Sequence, residues 1–192
     1  MITKESSNAT VLMTHRLVLR PVEYSDLKPL VDNLNDYRVS KWCGMVPFPY
    51  TNDAGREWIA VVQSQWNSSS RVAYSFGAEL KDSGTIIGCC GLHDVNQACG
   101  TLGYWLGVQY HGVGLGKEMV DAVLNFAFNE IKLTTLLADA YVDNFPSARI
   151  LHKAGFKQVS AQPTKKLCKA DGLEKDSFSY RLTKLEYDQS VA

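Results

Sequence analysis

The sequence Tyr110-His-Gly-Val-Gly-Leu-Gly-Lys-Glu118 places a glycine at every second position of a short loop. The loop lies between a strand-like run, Leu102 to Val108, and a helix-like run that ends near Ile131. Glycines leave the backbone N–H groups of the loop uncovered, and the N-terminus of the following helix points its partial positive charge at the same place. This arrangement favours the binding of a phosphate group. We therefore predict that the protein binds a phosphate-bearing ligand at this loop.

Three phosphate-binding patterns can be compared with this loop. A Walker A loop needs G-x-x-x-x-G-K-[ST], but the segment from Gly112 to Lys117 is one residue too short, and Glu118 stands where Mg²⁺ requires a hydroxyl. In a dinucleotide loop, G-x-G-x-x-G, the third glycine would come one position later than Gly116. The pattern [QR]-x-x-G-x-[GA] matches His111 to Gly116 at every position but the first. A glycine-rich turn ahead of an ordinary helix is the alternative that needs no ligand.

Length and composition limit the class of protein. A chain of 192 residues is expected to form one domain over residues 1–192, with a polar tail over about residues 1–12. The 20 basic and 20 acidic residues balance, which argues against direct nucleic-acid binding. No apolar run is long enough to span a membrane. The five cysteines are odd in number and lack C-x-x-C spacing, so we expect a reduced, cytoplasmic protein without a metal site or disulfide.

Hydrophobic periodicity predicts an α+β fold. An opening strand covers His15–Pro21, and the predicted helices are Ser25–Leu34, Asp36–Lys41 and a longer one from Asn52 or Asp53 to about Asn67. An antiparallel meander then feeds the glycine loop, with strands Val72–Leu80, Thr85–Val95 and Thr101–Val108.

The second half of the chain is predicted to complete a mixed, mostly antiparallel sheet with helices on both faces. A helix from Gly114 to Ile131 leads to a strand, Leu136–Val142, which should lie parallel to Thr101–Val108 across a right-handed crossover. A helix begins at Pro146 and ends at Gly155. The final hairpin is predicted from Phe156–Ala161 and Phe178–Thr183, around a basic, mobile loop.

Six segments agree in order and spacing with a known superfamily. They are Arg16–Pro21, Ile87–Leu92, Gly103–Leu106, His111–Lys117, Asn144–Ser147 and Leu151–Phe156. Together they resemble the GNAT superfamily of acetyltransferases, specifically the group that contains the ribosomal-protein N-terminal acetyltransferases. The resemblance covers nearly the whole chain. It implies a GNAT-like fold with a V-shaped splay between the two parallel central strands, acetyl-CoA as the donor, and direct transfer to an amine.

The resemblance also implies roles for individual residues. Backbone groups of Leu106, Gly107 and Val108 would bond to the pantetheine arm, and one N–H there would hold the thioester carbonyl as it becomes an oxyanion. The pyrophosphate would lie on the loop formed by His111, Gly112, Val113, Gly114, Leu115, Gly116 and Lys117. Asn144 would contact the coenzyme arm, and Ser147 would protonate the leaving thiolate. Helix capping is the simpler role open to Asn144 and Ser147.

Two positions depart from the pattern of the superfamily. His111 replaces the usual Arg or Gln, which changes the shape and charge of one donor. Thr101 stands where many relatives carry a glutamate that acts as general base, and a threonine cannot take a proton at neutral pH. His93 and Asp94, beside the expected cleft, are the first candidates to replace it through a water relay, with Glu79 as a third; a structural role is also open to His93.

Other polar and reactive side chains near the expected cleft are given structural roles. Tyr104 and Trp105 are assigned to the core in preference to ligand binding. Cys89 and Cys90 are not expected to act as nucleophiles, because direct transfer requires none.

The absence of the glutamate bears on the acceptor. At pH 7 a lysine amine is neutral about 0.04% of the time, whereas an α-amine is neutral about 14% of the time. We therefore expect an N-acetyltransferase acting on a peptide or protein N-terminus, as a monomer or homodimer. A non-catalytic acyl-CoA-binding module and an acetyltransferase for a small amine, such as an antibiotic or polyamine, are the alternatives. The acceptor pocket is expected from Trp42–Tyr50, His93–Asn96 and Thr164–Asp176.

Overall fold

The structure, a computed structural model, describes residues 10–191. Residues 1–9 and Ala192 lie outside the described part, so most of the predicted polar tail of about residues 1–12 cannot be compared. The first strand begins at Leu12, which is buried, so the described chain enters the sheet at the approximate end of the predicted tail.

Within residues 10–191, nine strands form one mixed sheet. The strands are β1 (Leu12–Met13), β2 (Leu17–Arg20), β3 (Tyr74–Leu80), β4 (Thr85–His93), β5 (Cys99–Leu106), β6 (Thr135–Tyr141), β7 (Lys157–Gln158), β8 (Thr164–Cys168) and β9 (Leu173–Thr183). Their order is β1-β2-β3-β4-β5-β6-β9-β7, and β8 also pairs with β9. Neighbours are antiparallel except β5 and β6, which are parallel as predicted.

Six α-helices pack around this sheet in the described part of the chain. They are α1 (Leu27–Leu34), α2 (Tyr37–Ser40), α3 (Asn52–Asn67), α4 (Leu115–Asn125), α5 (Phe145–Lys153) and α6 (Lys184–Val191). The Thr51 side chain caps α3 by accepting the Ala54 N–H at 3.2 Å, and the helix begins at Asn52, one of the two predicted starts. Helix α4 buries Met119, Val120, Val123 and Leu124 and continues into a π-helical turn, Phe126–Glu130. The architecture is the predicted α+β fold.

The final hairpin differs from the prediction. Strand β7 has only two residues, and the segment predicted as a mobile loop is itself a hairpin in which β8 pairs with β9 from Thr164↔Ser177 to Cys168↔Leu173. The turn of this hairpin contains Gly172 at φ 72°, a left-handed conformation that glycine adopts without steric cost. The hairpin therefore has a defined position beside the parallel strands.

The strand before the glycine loop is shorter than predicted. The Gly107 N–H bonds to the Ile87 carbonyl at 2.8 Å, and the chain then leaves the sheet in a 3₁₀ turn, Val108–Tyr110. The prediction that Val108 belongs to the strand is wrong.

Among the helices of residues 10–191, none is both long enough and apolar enough to cross a membrane.

Candidate active site

The two parallel strands separate partway along their length. Strand β5 pairs with β6 only from Cys99↔Thr135 to Leu102↔Ala138. Beyond this point, residues 103–106 pair only with β4, and residues 139–141 pair only with β9. The strands therefore diverge into the predicted V, which opens into a cleft of 1510 Å³.

The predicted site residues divide into two groups at this cleft. Nine of them line it: His93, Leu106, His111, Gly112, Gly114, Gly116, Lys117, Asn144 and Ser147. Five do not: Asp94, Gly107, Val108, Val113 and Leu115. The second group can act only through backbone groups or through a neighbouring side chain.

The glycine loop ends in an open helix N-terminus. Gly112 and Gly114 have φ of 80° and 86°, and Gly114 is the N-cap of α4 without a side-chain cap. The Glu118 amide bonds back to the Gly114 carbonyl at 3.1 Å, so the amides of Leu115, Gly116 and Lys117 precede the first helical hydrogen bond. A methyl group on Gly112 would meet no atom within 4 Å, so the space above the loop is open. An uncovered cradle of this kind fits a pyrophosphate.

The loop is held by an arginine that the sequence analysis did not assign to the site. The Arg16 Nη1 donates to the Val113 carbonyl at 2.8 Å. The same guanidinium donates to Glu118 through Nε and Nη2 at 2.7 Å each, and the Arg16 N–H and Thr14 hydroxyl donate to the other Glu118 oxygen at 2.7 and 2.6 Å. Burial raises the pKa of Glu118, but these hydrogen bonds outweigh it and lower the pKa overall. Glu118 thus ties α4 to the sheet beside the loop.

The backbone of residues 106–108 is partly committed to other groups. The His111 Nε2 lies 2.8 Å from the Leu106 carbonyl and donates a hydrogen bond to it. The Gly107 N–H donates to the Ile87 carbonyl. Backbone groups alternate in direction along a strand, so the Leu106 N–H points away from β4, toward the cleft. Of the three residues predicted for the pantetheine arm, Leu106 is the one whose amide direction suits that role. His111 fixes the end of β5.

Three polar groups meet where α5 begins. The Asn144 Oδ1 accepts the Ser147 N–H at 3.3 Å, so Asn144 is the cap of α5. The Ser147 Oγ lies 2.8 Å from the Tyr104 Oη, and the same Tyr104 oxygen lies 3.2 Å from the Ser147 carbonyl. Burial raises the pKa of Tyr104, although the hydrogen bond to Ser147 opposes this. Tyr104 therefore remains a protonated hydroxyl that can orient Ser147.

Tyr104 was assigned to the core by the sequence, and its contact with Ser147 is formed only by the fold, since 43 positions separate them. A buried tyrosine in an apolar strand needs a hydrogen-bond partner for its hydroxyl. This requirement was the one signal in the sequence that Tyr104 contacts a polar group.

His93 and Asp94 form a hydrogen-bonded pair at the end of β4. The His93 Nδ1 lies 2.8 Å from an Asp94 carboxylate oxygen. His93 is the cross-strand partner of Thr101, and both side chains line the cleft. Glu79, the third candidate base, is instead bonded to Arg20 at 2.7 Å.

The thiols at the cleft are unsuited to nucleophilic attack. Burial raises the pKa of Cys43 to about 12, and it also raises the pKa of Cys89 and of Cys90 well above the ordinary value. A protonated thiol is a poor nucleophile, so a transfer that bypasses the protein is favoured. Within residues 10–191, no three His, Cys, Asp or Glu side chains cluster in a way that could hold a metal ion.

Cationic side chains outnumber carboxylates around the cleft. Lys117, Arg149 and Lys153 line it from α4 and α5, and Arg38, Lys165, Lys166 and Lys169 line it on the side of α2 and the β8–β9 hairpin. Among residues 10–191, the carboxylates that line the cleft are those of Glu57 and Asp139. Asp139 already accepts Lys166 at 2.5 Å and the Ser179 hydroxyl at 2.7 Å. Four of the cations are paired in the same way, Arg38 with Asp36, Lys117 with Asp121, Lys165 with Asp176 and Lys166 with Asp139. The lining still carries more cationic than anionic side chains, which suits an anionic ligand.

Comparison with known proteins gives a consistent result. A sequence profile described as acetyltransferase (GNAT) domain matches residues 16–157. The uncharacterized N-acetyltransferase p20 of Bacillus licheniformis is 29% identical over 178 residues, which cover 92% of this chain and 97% of that protein.

Two solved structures are similar in fold. The ribosomal-protein-S5-alanine acetyltransferase from Vibrio fischeri has a TM-score of 0.77 at 18% identity, with 91% of this chain and 97% of that chain covered. The spermidine N-acetyltransferase from Vibrio cholerae, in complex with CoA and spermine, has a TM-score of 0.74 at 16% identity, with 90% and 98% covered.

Proposed function

The chain belongs to the GNAT family of acetyl-CoA-dependent acetyltransferases, and from this premise we propose that its acceptor is the α-amine of a peptide or protein N-terminus. The observation that carries the proposal is a cleft between the splayed β5 and β6 that has a phosphate cradle on one side and few free carboxylates for a polycation on the other. The transfer itself follows from the family; the acceptor class is our inference.

The donor side of the cleft supplies groups suited to coenzyme A. The amides of Leu115, Gly116 and Lys117 would receive the pyrophosphate at the positive end of the α4 dipole. Arg149 and Lys153 lie one helical turn apart on α5 and both line the cleft, where they can pair with further phosphate charge. The Leu106 amide would bond to the pantetheine arm.

Ser147 would assist the departure of the coenzyme sulfur. The Tyr104 hydroxyl has a single proton, which the 3.2 Å contact directs to the Ser147 carbonyl and the 2.8 Å contact can direct to Ser147 Oγ. When that proton is donated to Oγ, the Ser147 proton is free to point into the cleft. A hydroxyl in that position stabilises a thiolate by hydrogen bonding and can pass it a proton. Asn144 orients Ser147 by capping the helix on which it lies.

The charge of the cleft bears on the acceptor. A polyamine would need several carboxylates, but Asp139 is neutralised by Lys166, which leaves Glu57 as the one other acidic side chain among the described residues of the lining. An α-amine carries a single positive charge and is partly neutral at pH 7, so it requires less compensation and less help from a base than lysine. These considerations favour the N-terminus over both a polyamine and a lysine side chain.

The proposal is tested by following the release of free CoA thiol with three classes of acceptor. The panel contains tetrapeptides with free N-termini, the same tetrapeptides with a blocked N-terminus and an internal lysine, and spermidine. We expect kcat/KM to be highest for free N-termini by at least about tenfold. A preference for spermidine or lysine would reject the proposed acceptor, and tight CoA binding without turnover on any amine would favour a binding module.

A further inference from the structure

Removal of a proton from the acceptor amine requires a base, and the position expected to supply a carboxylate holds Thr101. We propose that His93 Nε2 is this general base and that Asp94 is a positioning residue that holds the imidazole ring. The proposal rests on the proposed function, because it assigns a residue to the proton that an amine must lose.

The register of the sheet places His93 beside the start of the splay. In the β4–β5 pair, His93 lies directly opposite Thr101. Two residues further along, on the same face of the sheet, Gly91 lies opposite Gly103. A methyl group on Gly103 would lie 3.8 Å from Cδ2 and 3.9 Å from Nε2 of His93. The ring therefore lies over Gly103, the first residue of β5 that has lost its partner in β6. The lack of a side chain at Gly103 keeps this edge of the ring accessible.

The hydrogen bond to Asp94 determines which nitrogen can act as base. A carboxylate can only accept, so His93 Nδ1 must donate the proton in the 2.8 Å contact. In the neutral ring Nε2 is then the nitrogen with a free lone pair. Asp94 has φ 52°, a left-handed conformation that is uncommon outside glycine, although aspartate tolerates it better than most residues. That conformation lets adjacent side chains pair across the end of the strand.

The neighbouring carboxylates are less suited to this role. Asp139 lines the cleft but is held by Lys166 and Ser179, and Glu79 is held by Arg20. Glu57 lines the cleft from α3, a helix that packs mainly on α1 and β3. The side chains of His93 and Asp94 are 56% and 82% exposed, so the pair is reachable by an incoming amine and by the solvent that must carry the proton away.

The chemical step balances with the groups named. The amine nitrogen forms a bond to the acetyl carbonyl carbon, and one N–H proton passes to His93 Nε2. The C–S bond breaks with its electron pair on sulfur, and the thiolate is stabilised by the Ser147 hydroxyl. The histidine then returns its proton to solvent, which restores the neutral ring.

The first test is removal of the ring followed by chemical rescue, measured as thiol release with the most active tetrapeptide of the panel. We expect His93→Ala to lower kcat by about 10²-fold or more, with the KM for acetyl-CoA unchanged, and free imidazole in the buffer to restore at least about tenfold. His93→Gln, which keeps the approximate size of the side chain, should lose as much activity. His15→Ala, a change at an exposed histidine away from the cleft, should affect neither quantity.

The second test determines which nitrogen of the His93 ring carries the proton, in the absence of catalysis. Nitrogen NMR of the free protein should find the neutral His93 ring protonated on Nδ1, and Asp94→Ala should shift it toward the Nε2–H form and lower kcat by about tenfold. A kcat for His93→Ala within about threefold of wild type, no rescue by imidazole, or a wild-type ring protonated on Nε2 would overturn the proposal. If His93→Ala keeps its activity or imidazole gives no rescue, the proposed function still stands, since the wild-type protein would still acetylate N-termini. If the wild-type protein is inactive on every amine, both the proposed function and the role of His93 are rejected.

Discussion

At the scale of single residues, the site depends on side chains that are absent as much as on those present. Gly114 occupies a left-handed conformation at the N-cap of α4, and Gly103 lies against the His93 ring, where its missing side chain leaves that edge of the ring uncovered. The sequence predicted the first because alternate glycines before a helix form a recognisable cradle. It did not predict the second, nor the contact between Tyr104 and Ser147, because both depend on how distant segments come together.

The cradle can be tested by adding a side chain to it. We expect Gly114→Val to weaken CoA binding by at least tenfold, about 1.4 kcal/mol, because the side chain would cover the amides that receive the pyrophosphate. Gly84→Val is the matched control, since Gly84 also has a positive φ of 64° but lies at a turn where a methyl group meets nothing within 4 Å. Titration calorimetry would measure both. Equal CoA affinity in a folded Gly114→Val protein would contradict this site.

The Tyr104–Ser147 pair is expected to act as one unit. Ser147→Ala should lower kcat by about 10²–10⁴-fold while CoA affinity stays within about twofold. Tyr104→Phe should lower kcat by about tenfold at most, the value of one hydrogen bond, and should have no further effect in the Ser147→Ala background. Additive losses in the double variant would show that Tyr104 acts independently of Ser147. A loss below threefold for Ser147→Ala would leave Ser147 as a capping residue.

At the scale of elements, ion pairs and turns determine how helices and strands meet at the cleft. Most helices and central strands were predicted within a few residues, because their apolar spacing follows the helix or strand period. The β8–β9 hairpin was missed because Thr164–Lys166 is polar and Leu167 is exposed, so no alternating pattern marks β8 as a strand. The dipeptide Asp171-Gly172 was the signal that could have predicted its turn. Arg16 was predicted only as part of a strand, because its bond to the loop joins residues 97 positions apart.

The contact between Glu118 and Arg16 predicts a pH-dependent stability. The pKa of Glu118 in the folded protein is lowered from 4.5, so its stabilising contribution is full above that value and is lost as the pH falls through the folded pKa. We expect Glu118→Gln to lower the free energy of unfolding by about 2 kcal/mol at pH 7, with the difference from wild type shrinking below about pH 4.5. Urea unfolding across pH would measure it. Glu130→Gln, at an exposed position, is the control, and an equal effect of both variants at pH 7 would contradict the account.

At the scale of the whole molecule, the cleft lies where the two parallel central strands separate. Pairing between β5 and β6 stops at Leu102↔Ala138, while β5 stays paired with β4 and β6 stays paired with β9. The resemblance carried by the ordered motifs from Arg16 to Phe156 predicted this splay, whereas hydrophobic periodicity predicted only the strands. The ordered motifs did not predict the acceptor, because the segments expected to form its pocket, Trp42–Tyr50, His93–Asn96 and Thr164–Asp176, belong to none of them.

Coenzyme binding should stabilise the whole domain. A ligand that binds only the folded state at 100 times its Kd adds about 2.7 kcal/mol to the free energy of unfolding. We therefore expect acetyl-CoA to raise the Tm of the wild-type protein, measured by calorimetry, and to raise it much less in Gly114→Val. All five cysteines are free, so reductant should leave the Tm unchanged, and chelator should do the same. A large fall in Tm with either reagent would contradict the prediction.

The central claim is that the acetyl group of acetyl-CoA reaches an N-terminal α-amine, and one measurement tests it most directly. A peptide with a free N-terminus and an internal lysine is incubated with isotopically labelled acetyl-CoA, and fragmentation mass spectrometry locates the label. We predict that the label lies on the N-terminal residue and that the lysine remains unmodified, because the α-amine has the larger neutral fraction and the cleft provides few carboxylates for a lysine ammonium. Label found mainly on the lysine side chain, or a peptide without label beside an enzyme that binds acetyl-CoA, would contradict the claim.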